Sequence, residues 1–218
     1  MRLHVLQHVP FEDAAEIGTW AQERGHSISH TLLYAGEALP ALDAFDMLVV
    51  MGGPMNIYEH ESYPWLVAEK AFIRESVLAG KYYLGVCLGG QLLADALGGS
   101  VTRNAEREIG WHPVTLTEAG RECNLLKKWP DRFTAFHWHG DTFAIPPKAK
   151  HLLVSEACVN QAFVYEGRAV GLQFHLEYSQ KSIRDMLVHC ADELTPGKYV
   201  QTPEKIEVGL GQTKQTHA

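Results

Sequence analysis

The chain has 218 residues, of which 46% are hydrophobic and 21% charged, and its 19 Lys plus Arg against 26 Asp plus Glu leave a net charge of −7. A chain of this size fits one domain that buries most of its apolar surface, and the acid excess argues against a nucleic-acid surface. No apolar run reaches the roughly 20 residues needed to cross a bilayer, and the N-terminal apolar stretch is short and lacks a small-residue cleavage site, so a cytoplasmic protein with neither membrane nor nucleic acid among its partners is expected.

In chain order, Leu3 to Leu6 reads as a strand, and Asp13 caps a helix through about Glu23 that Gly25 ends. Ser27 to Tyr34 alternates as a second strand, and Met47 to Met51 is a third. It runs into Gly52-Gly53-Pro54, where glycine lets a backbone N–H aim outward and proline stiffens the loop after it. A helix from about Pro64 to Ala79 closes at Gly80, with proline suited to its first turn. The aromatic and apolar run Tyr82 to Val86 is the next strand. Gln91 to Leu97 is a helix stopped by Gly98-Gly99. Alternation of strand and helix indicates a parallel sheet covered on both faces. From Val101 to Phe174 the pattern changes to short strands, at Val114–Thr117, Phe133–His137, Leu152–Ser155, Ala162–Tyr165 and Ala169–Phe174, which suits a more antiparallel half. A helix then opens at Ser179 or Gln180 and runs to about Leu194. The domain is expected to span 1–194, with 195–218 as a C-terminal extension, helical over Pro203–Leu210 and frayed over Gly211–Ala218.

Chemistry concentrates at the bend between the Tyr82–Val86 strand and the helix after it. Gly85-Val86-Cys87-Leu88-Gly89-Gly90-Gln91 places a cysteine on a strand-to-helix turn built from glycines, the layout of a nucleophile elbow. The following helix directs free amides at the sulfur, and a cysteine pKa of about 8.5 falls near a helix N-terminus or a histidinium, so a favoured thiolate is expected. Gly171-Leu172-Gln173-Phe174-His175-Leu176-Glu177 is an apolar run ending in a histidine, with a carboxylate two positions on and on the same side of an extended chain. His175 suits a general base for Cys87, with Glu177 orienting it. An amide of the Gly52-Gly53 loop, together with that of Leu88, suits an oxyanion hole. Arg107-Glu108-Ile109-Gly110-Trp111 and His137-Trp138-His139-Gly140-Asp141 suit the lining of a pocket between strands.

The Gly-Gly-Pro loop at 52–54, the elbow at 85–91, Arg-Glu-x-Gly at 107–110, His-Gly-Asp at 139–141 and Gly-x-Gln-Phe-His-x-Glu at 171–177 come in one order across nearly the whole chain. In these motifs it resembles a class I, triad-type glutamine amidotransferase domain, with the nearest likeness to stand-alone proteins similar to the glutaminase domain of GMP synthase, a group that includes γ-glutamyl peptidases. The resemblance implies an α/β fold: a three-layer, open, mostly parallel sheet with helices on both faces, flavodoxin-like, plus a smaller antiparallel sheet. It implies that Cys87 attacks the side-chain amide of glutamine, that His175 moves the proton, that Glu177 orients His175, and that a glutamyl thioester is hydrolysed to glutamate. It further implies Gly53 and Leu88 as oxyanion donors, Gln91 against the amino-acid end of the substrate, and His139, Gly140 and Asp141 near that same end. No cofactor is implied.

Two positions depart from the family pattern: Gly90, where a larger residue is common, and Leu176, where proline is common. Gly90 is expected to enlarge the pocket beside the elbow, and Leu176 to leave the His-to-Glu segment freer. Cys87, Cys123, Cys158 and Cys190 contain no Cys-x-x-Cys pair, so a structural zinc site is not expected, and the last three read as core or helix residues. His137 and His139 alternate on one strand with no third ligand suggested nearby, so no metal site is expected. Too little chain follows residue 194 for a synthetase domain. The sequence therefore suits either an amidotransferase acting on glutamine, with a synthetase partner in trans, or a self-sufficient hydrolase of γ-glutamyl small molecules. A regulatory protein without turnover is disfavoured by the presence of Cys87, His175 and Glu177 together.

Overall fold

The computed structural model describes residues 1–213. In chain order the elements are β1 (Arg2–Gln7), α1 (Ala15–Glu23), β2 (Ser27–Leu32), β3 (Met47–Val50), α2 (Trp65–Leu78), β4 (Tyr82–Val86), α3 (Leu88–Ala96), β5 (Val101–Leu116), α4 (Glu118–Glu122), β6 (Arg132–Phe143), β7 (Lys150–Val154), β8 (Ala162–Tyr165), β9 (Ala169–Leu172), α5 (Gln180–His189), β10 (Tyr199–Val200) and α6 (Pro203–Val208). Asp13 Oδ1 accepts the N–H of Ala15 at 2.9 Å at the start of α1. Gly25 and Gly80 leave α1 and α2 in the left-handed region expected of a helix stop.

Hydrophobic alternation in the first strands builds the three layers. Met47, Val49 and Met51 pack with Leu3, Val5 and Ala21 under α1, while Leu48 and Val50 pack with Leu6 on the other face against α2 and α3. Both faces of a parallel strand are thereby buried, which is why these runs are almost wholly apolar. The sheet order is β10-β5-β7-β8-β9-β4-β3-β1-β2, with β6 paired to β5. Strands β2, β1, β3, β4 and β9 run parallel, and β8 and β7 continue the sheet antiparallel.

The antiparallel strands are thus continuous with the parallel ones in one sheet. They are also not all short. β5 and β6 form a 16- and 12-residue ribbon paired from Val101–Phe143 to Thr115–Arg132, with a register shift between Arg103 and Glu108. The polar run 102–107 and Pro113 hide that continuity, because neither resembles a strand interior.

The expected long last helix is shorter: Cys190 leaves α5, and a 3-10 turn covers Ala191–Glu193. The segment after 194 returns to the domain. β10 joins β5, and Ile206 and Leu210 are buried with Ile109, Trp111, Phe136 and Ile183. Gly211 and Gln212 continue a 3-10 turn, and Thr213 is buried with its hydroxyl on the Leu210 carbonyl, so these three are not frayed. The remainder of the expected frayed end, 214–218, lies outside the described residues.

Candidate active site

Four adjacent parallel strands, β1, β3, β4 and β9, end at one edge of the sheet and deliver His8, Gly52-Gly53, Cys87 and His175 to the same place. This is the carboxyl edge where crevices form in open α/β sheets. The register pairs Val86 with Leu172, and the Cys87 N–H donates to the Leu172 carbonyl at 2.9 Å. His175, three residues past β9, is held by its own N–H on the Phe136 carbonyl of β6 at 2.8 Å.

Cys87 has φ +50° and ψ −104°, a backbone that an L residue rarely adopts. The strain at the bend therefore lies in the cysteine itself. The glycines around it serve a different need, close approach of α3 to the sheet. A Cβ at Gly85 would lie 2.3 Å from the Gly89 carbonyl oxygen, one at Gly89 2.1 Å from the Val50 oxygen, and one at Gly90 2.5 Å from the Leu172 oxygen. Gly90 accordingly faces the backbone of β9 and does not enlarge the pocket. Leu176 likewise packs its side chain against the cluster of Val114, Leu126 and Phe174.

The His175 Nδ1 meets Glu177 Oε1 at 2.7 Å, with both side chains buried. Nε2 is left without a hydrogen bond to a protein acceptor, and the imidazole interacts with the Cys87 thiol. Burial works to lower the His175 pKa, but the Glu177 carboxylate and the thiol outweigh it and push it up to about 10. Burial also pushes the Cys87 thiol up, opposed by His175 and reinforced by the carboxylates of Glu12 and Glu177. Desolvation of the Cys87 thiol thus opposes the thiolate that His175 and the helix end favour.

A cavity of ≈ 260 Å³ opens over Cys87. Of the residues named from sequence, Gly53, Leu88, Gln91, His139, Gly140 and Asp141 all line it. Leu88 begins α3, where its N–H has no intrahelical acceptor, and the Gly53 N–H finds no acceptor among the described residues. Gln91 donates to Gln173 Oε1 at 3.3 Å, and Gln173 Nε2 lies 3.7 Å from the Cys87 sulfur. Asp141 Oδ2 accepts from the Tyr58 hydroxyl at 3.1 Å.

His139 reaches away from the thiol. Its Nδ1–H donates to the Asp141 carbonyl at 3.0 Å and its Nε2 meets Glu108 Oε2 at 3.0 Å, an oxygen that also accepts from Gln161 at 2.6 Å. Glu108 stands opposite His139 across the β5–β6 register, with His137 two residues along the same face. Burial raises the Glu108 carboxyl, but His137 and His139 outweigh it and hold the group well below the usual carboxylate range. The two histidines therefore do have a third potential metal ligand beside them, contrary to expectation, since the ligand atoms of Glu108, His137 and His139 lie within 4.8 Å of one another. The hydrogen bonds to Gln161 and to the Asp141 carbonyl make this a polar anchor for the 139–141 segment.

Several residues at the site carry no mark in the sequence. Glu12 is buried at the pocket wall, accepts from the Tyr178 hydroxyl at 2.8 Å, and has its carboxyl pushed up by burial. Tyr178 stacks on His175 with ring centroids 4.1 Å apart. Cys190, a core residue by its sequence context, also lines the pocket, with its thiol pushed up to about 12 by burial. His8 is wholly buried behind the Gly52-Gly53 loop. Glu12 and His8 sit in the loop leaving β1, where nothing in local spacing marks them.

Comparison with known proteins identifies the family. The family model described as glutamine amidotransferase class-I matches residues 22–191. The glutamine amidotransferase-like protein YfeJ of Salmonella typhimurium is 39% identical over 198 residues, covering 89% of this chain and 83% of that protein. A glutamine-hydrolysing GMP synthase of Thermomicrobium roseum is 28% identical over 162 residues, which span 71% of this chain and 29% of that longer one. The crystal structure of a glutamine amidotransferase from Thermotoga maritima, 35% identical, superposes with a TM-score of 0.89 over 100% of this chain and 93% of its own.

Proposed function

The chain belongs to the class I glutamine amidotransferase family, and from that premise we propose that it hydrolyses the side-chain amide of glutamine through a cysteinyl thioester, yielding glutamate and ammonia. The observation that carries this reading is a cysteine on a strained bend that interacts with a buried His175–Glu177 pair, itself held at 2.7 Å, under a cavity lined by Gly53 and Leu88, whose amides lack protein acceptors.

In the proposed reaction the reacting form of the pair carries a neutral His175, whose Nε2 takes the thiol proton as Cys87 Sγ bonds to the amide carbon of glutamine. Negative charge on the former carbonyl oxygen is held by the N–H groups of Gly53 and Leu88, and the charge of the adjacent helix end adds to that field. His175 returns its proton to the nitrogen, the carbon–nitrogen bond breaks, and ammonia leaves a glutamyl thioester. Water, deprotonated by the same imidazole, attacks the thioester, and glutamate and the Cys87 thiol are released. Glu177 keeps the Nδ1 proton in place and stabilises the imidazolium formed on the way. Gln91, His139, Gly140 and Asp141 hold the amino-acid end of the substrate, His139 acting through its anchor on Glu108.

Ammonia made this way serves a synthetase partner in trans, as the family habit of pairing with synthetases suggests. A second reading, hydrolysis of γ-glutamyl amides with release of an amine, is favoured by one feature. Besides the residues suited to the glutamyl part, Glu12, Met186, Cys190 and Glu193 line the same cavity and offer contacts for a larger amine.

Incubation with L-glutamine and with γ-glutamyl peptides and amines, following glutamate, ammonia and amine beside Cys87→Ala, tests both. Ammonia release from glutamine that disappears in Cys87→Ala is expected. Amine release with little use of glutamine would select the second reading, and full activity of Cys87→Ala would remove the assignment.

A further inference from the structure

We infer that His8 is a positioning residue for the oxyanion hole: its Nδ1–H holds the Gly52 carbonyl and so turns the Gly52–Gly53 peptide to aim the Gly53 N–H at the cavity over Cys87. The inference rests on the proposed thioester reading and adds a residue to its machinery.

His8 Nδ1 lies 2.8 Å from the Gly52 carbonyl oxygen, so this nitrogen donates. No cis peptide occurs among the described residues, and across a trans peptide the C=O and the next N–H point in opposite directions. Fixing the Gly52 oxygen on His8 therefore sends the Gly53 N–H the other way, and that N–H has no acceptor among the described residues. Glycine can rotate such a peptide freely, so without an external hold the amide would sample orientations that do not face the sulfur.

The imidazole is itself clamped by one face of α2. Glu69 Oε1 meets Nε2 at 2.8 Å, and Trp65, one helical turn earlier, stacks on the ring at 5.4 Å. His8 and Glu69 are both fully buried. Burial works to lower the His8 pKa, but Glu69 and the Gly52 carbonyl outweigh it and raise it. A buried histidine–carboxylate pair is seldom worth more to stability than an apolar pair of the same volume. What it supplies here is direction: an acceptor oxygen lies 2.8 Å from each ring nitrogen, so Glu69 accepts from Nε2–H, keeps the ring protonated, and leaves a second N–H on Nδ1 for the Gly52 oxygen. Glu69 and Trp65 thus set the ring, and the ring sets the peptide.

The test compares His8→Leu with His8→Asn, whose amide N–H replaces the Nδ1 donor. Steady-state turnover of the best γ-glutamyl amide is read beside the rate at which iodoacetamide alkylates Cys87, a displacement at carbon that develops no oxyanion. Loss of one oxyanion donor costs about 10²–10³ in kcat, and misdirecting it should cost at least about 10-fold. The expected result for His8→Leu is that fall in kcat with KM nearly unchanged and alkylation within about 3-fold of wild type. His8→Asn should recover most of the lost kcat. His8→Phe, which refills the ring volume without a donor, replaces His8→Leu if the latter folds poorly. Wild-type kcat in the folded Leu or Phe variant, a parallel fall in alkylation, or equal impairment of Asn and Leu would each overturn the inference while leaving Cys87-dependent turnover standing. A wild-type protein with no Cys87-dependent turnover of any γ-glutamyl amide would instead remove the underlying reading.

Discussion

Cys87 and His175 interact in a buried setting where the carboxylates of Glu12 and Glu177 both act on the thiol. Glu177 raises the pKa of both members of the pair: it stabilises the imidazolium and disfavours the thiolate. Replacing it by neutral glutamine lowers both, so the over-protonated form of the pair gives way at lower pH. The acid limb of kcat/KM is therefore expected to move to lower pH in Glu177→Gln, while the plateau falls by about 10²–10⁴ because the imidazole loses its tautomer and orientation. A pH–rate profile of the variant checks both signs, and an acid limb moved to higher pH would contradict the electrostatics. The roles suggested for Cys87, His175 and Glu177 can be named from sequence because each carries a reactive group at a strand end. Glu12 and His8 cannot, since they enter the site only through the packing of the β1 loop under its neighbours.

At the level of elements, the approach of α3 to the sheet decides where the elbow stands. Gly85, Gly89 and Gly90 allow the first turn of α3 to touch β3, β4 and β9, and the Tyr83 hydroxyl ties down the Gly89 carbonyl at 2.8 Å. In Gly89→Ala a Cβ would meet the Val50 carbonyl oxygen at 2.1 Å, which is backbone and cannot swing aside. The substitution is expected to cost about 1–3 kcal/mol or more of stability and to displace Cys87 with the helix start. Urea denaturation measures the first effect, and loss of turnover disproportionate to the stability loss measures the second. A glycine-rich turn is legible in the sequence, but which glycine faces the pocket is not. Gly90, which from sequence would open the cavity, instead seals α3 onto β9, because the helix phase that orients it is set by the contact with the sheet.

Across the whole molecule, the segment after residue 194 closes the far side of the antiparallel ribbon. The Trp111 indole donates to the Ile206 carbonyl at 3.1 Å, Gln201 bonds the backbone of Trp111 twice, and Ile206 is fully buried. Through Ile109, Trp111 and Phe136 that cluster supports the strands that carry Glu108 and His139 and the backbone that holds His175. Ile206→Ala is expected to lower unfolding free energy by about 2–5 kcal/mol, as for other buried aliphatic truncations, measured by equilibrium denaturation. A cost under about 0.5 kcal/mol would show the segment to be peripheral, as its polar composition suggests when read alone.

The sequence by itself determined the α/β class, the strand and helix order through Ala96, and the resemblance to the family. Those features are local: a two-residue or 3.6-residue hydrophobic period, a glycine at a stop, a cysteine between a strand and a helix. Only the tertiary structure decided that one sheet runs from β2 to β10, that Glu108 stands by His137 and His139, that Cys87 is desolvated, and that His8 grips the Gly52 carbonyl. Each depends on residues distant in sequence meeting at one place, and both hydrogen-bond direction and desolvation are properties of that meeting, which no single stretch of chain encodes.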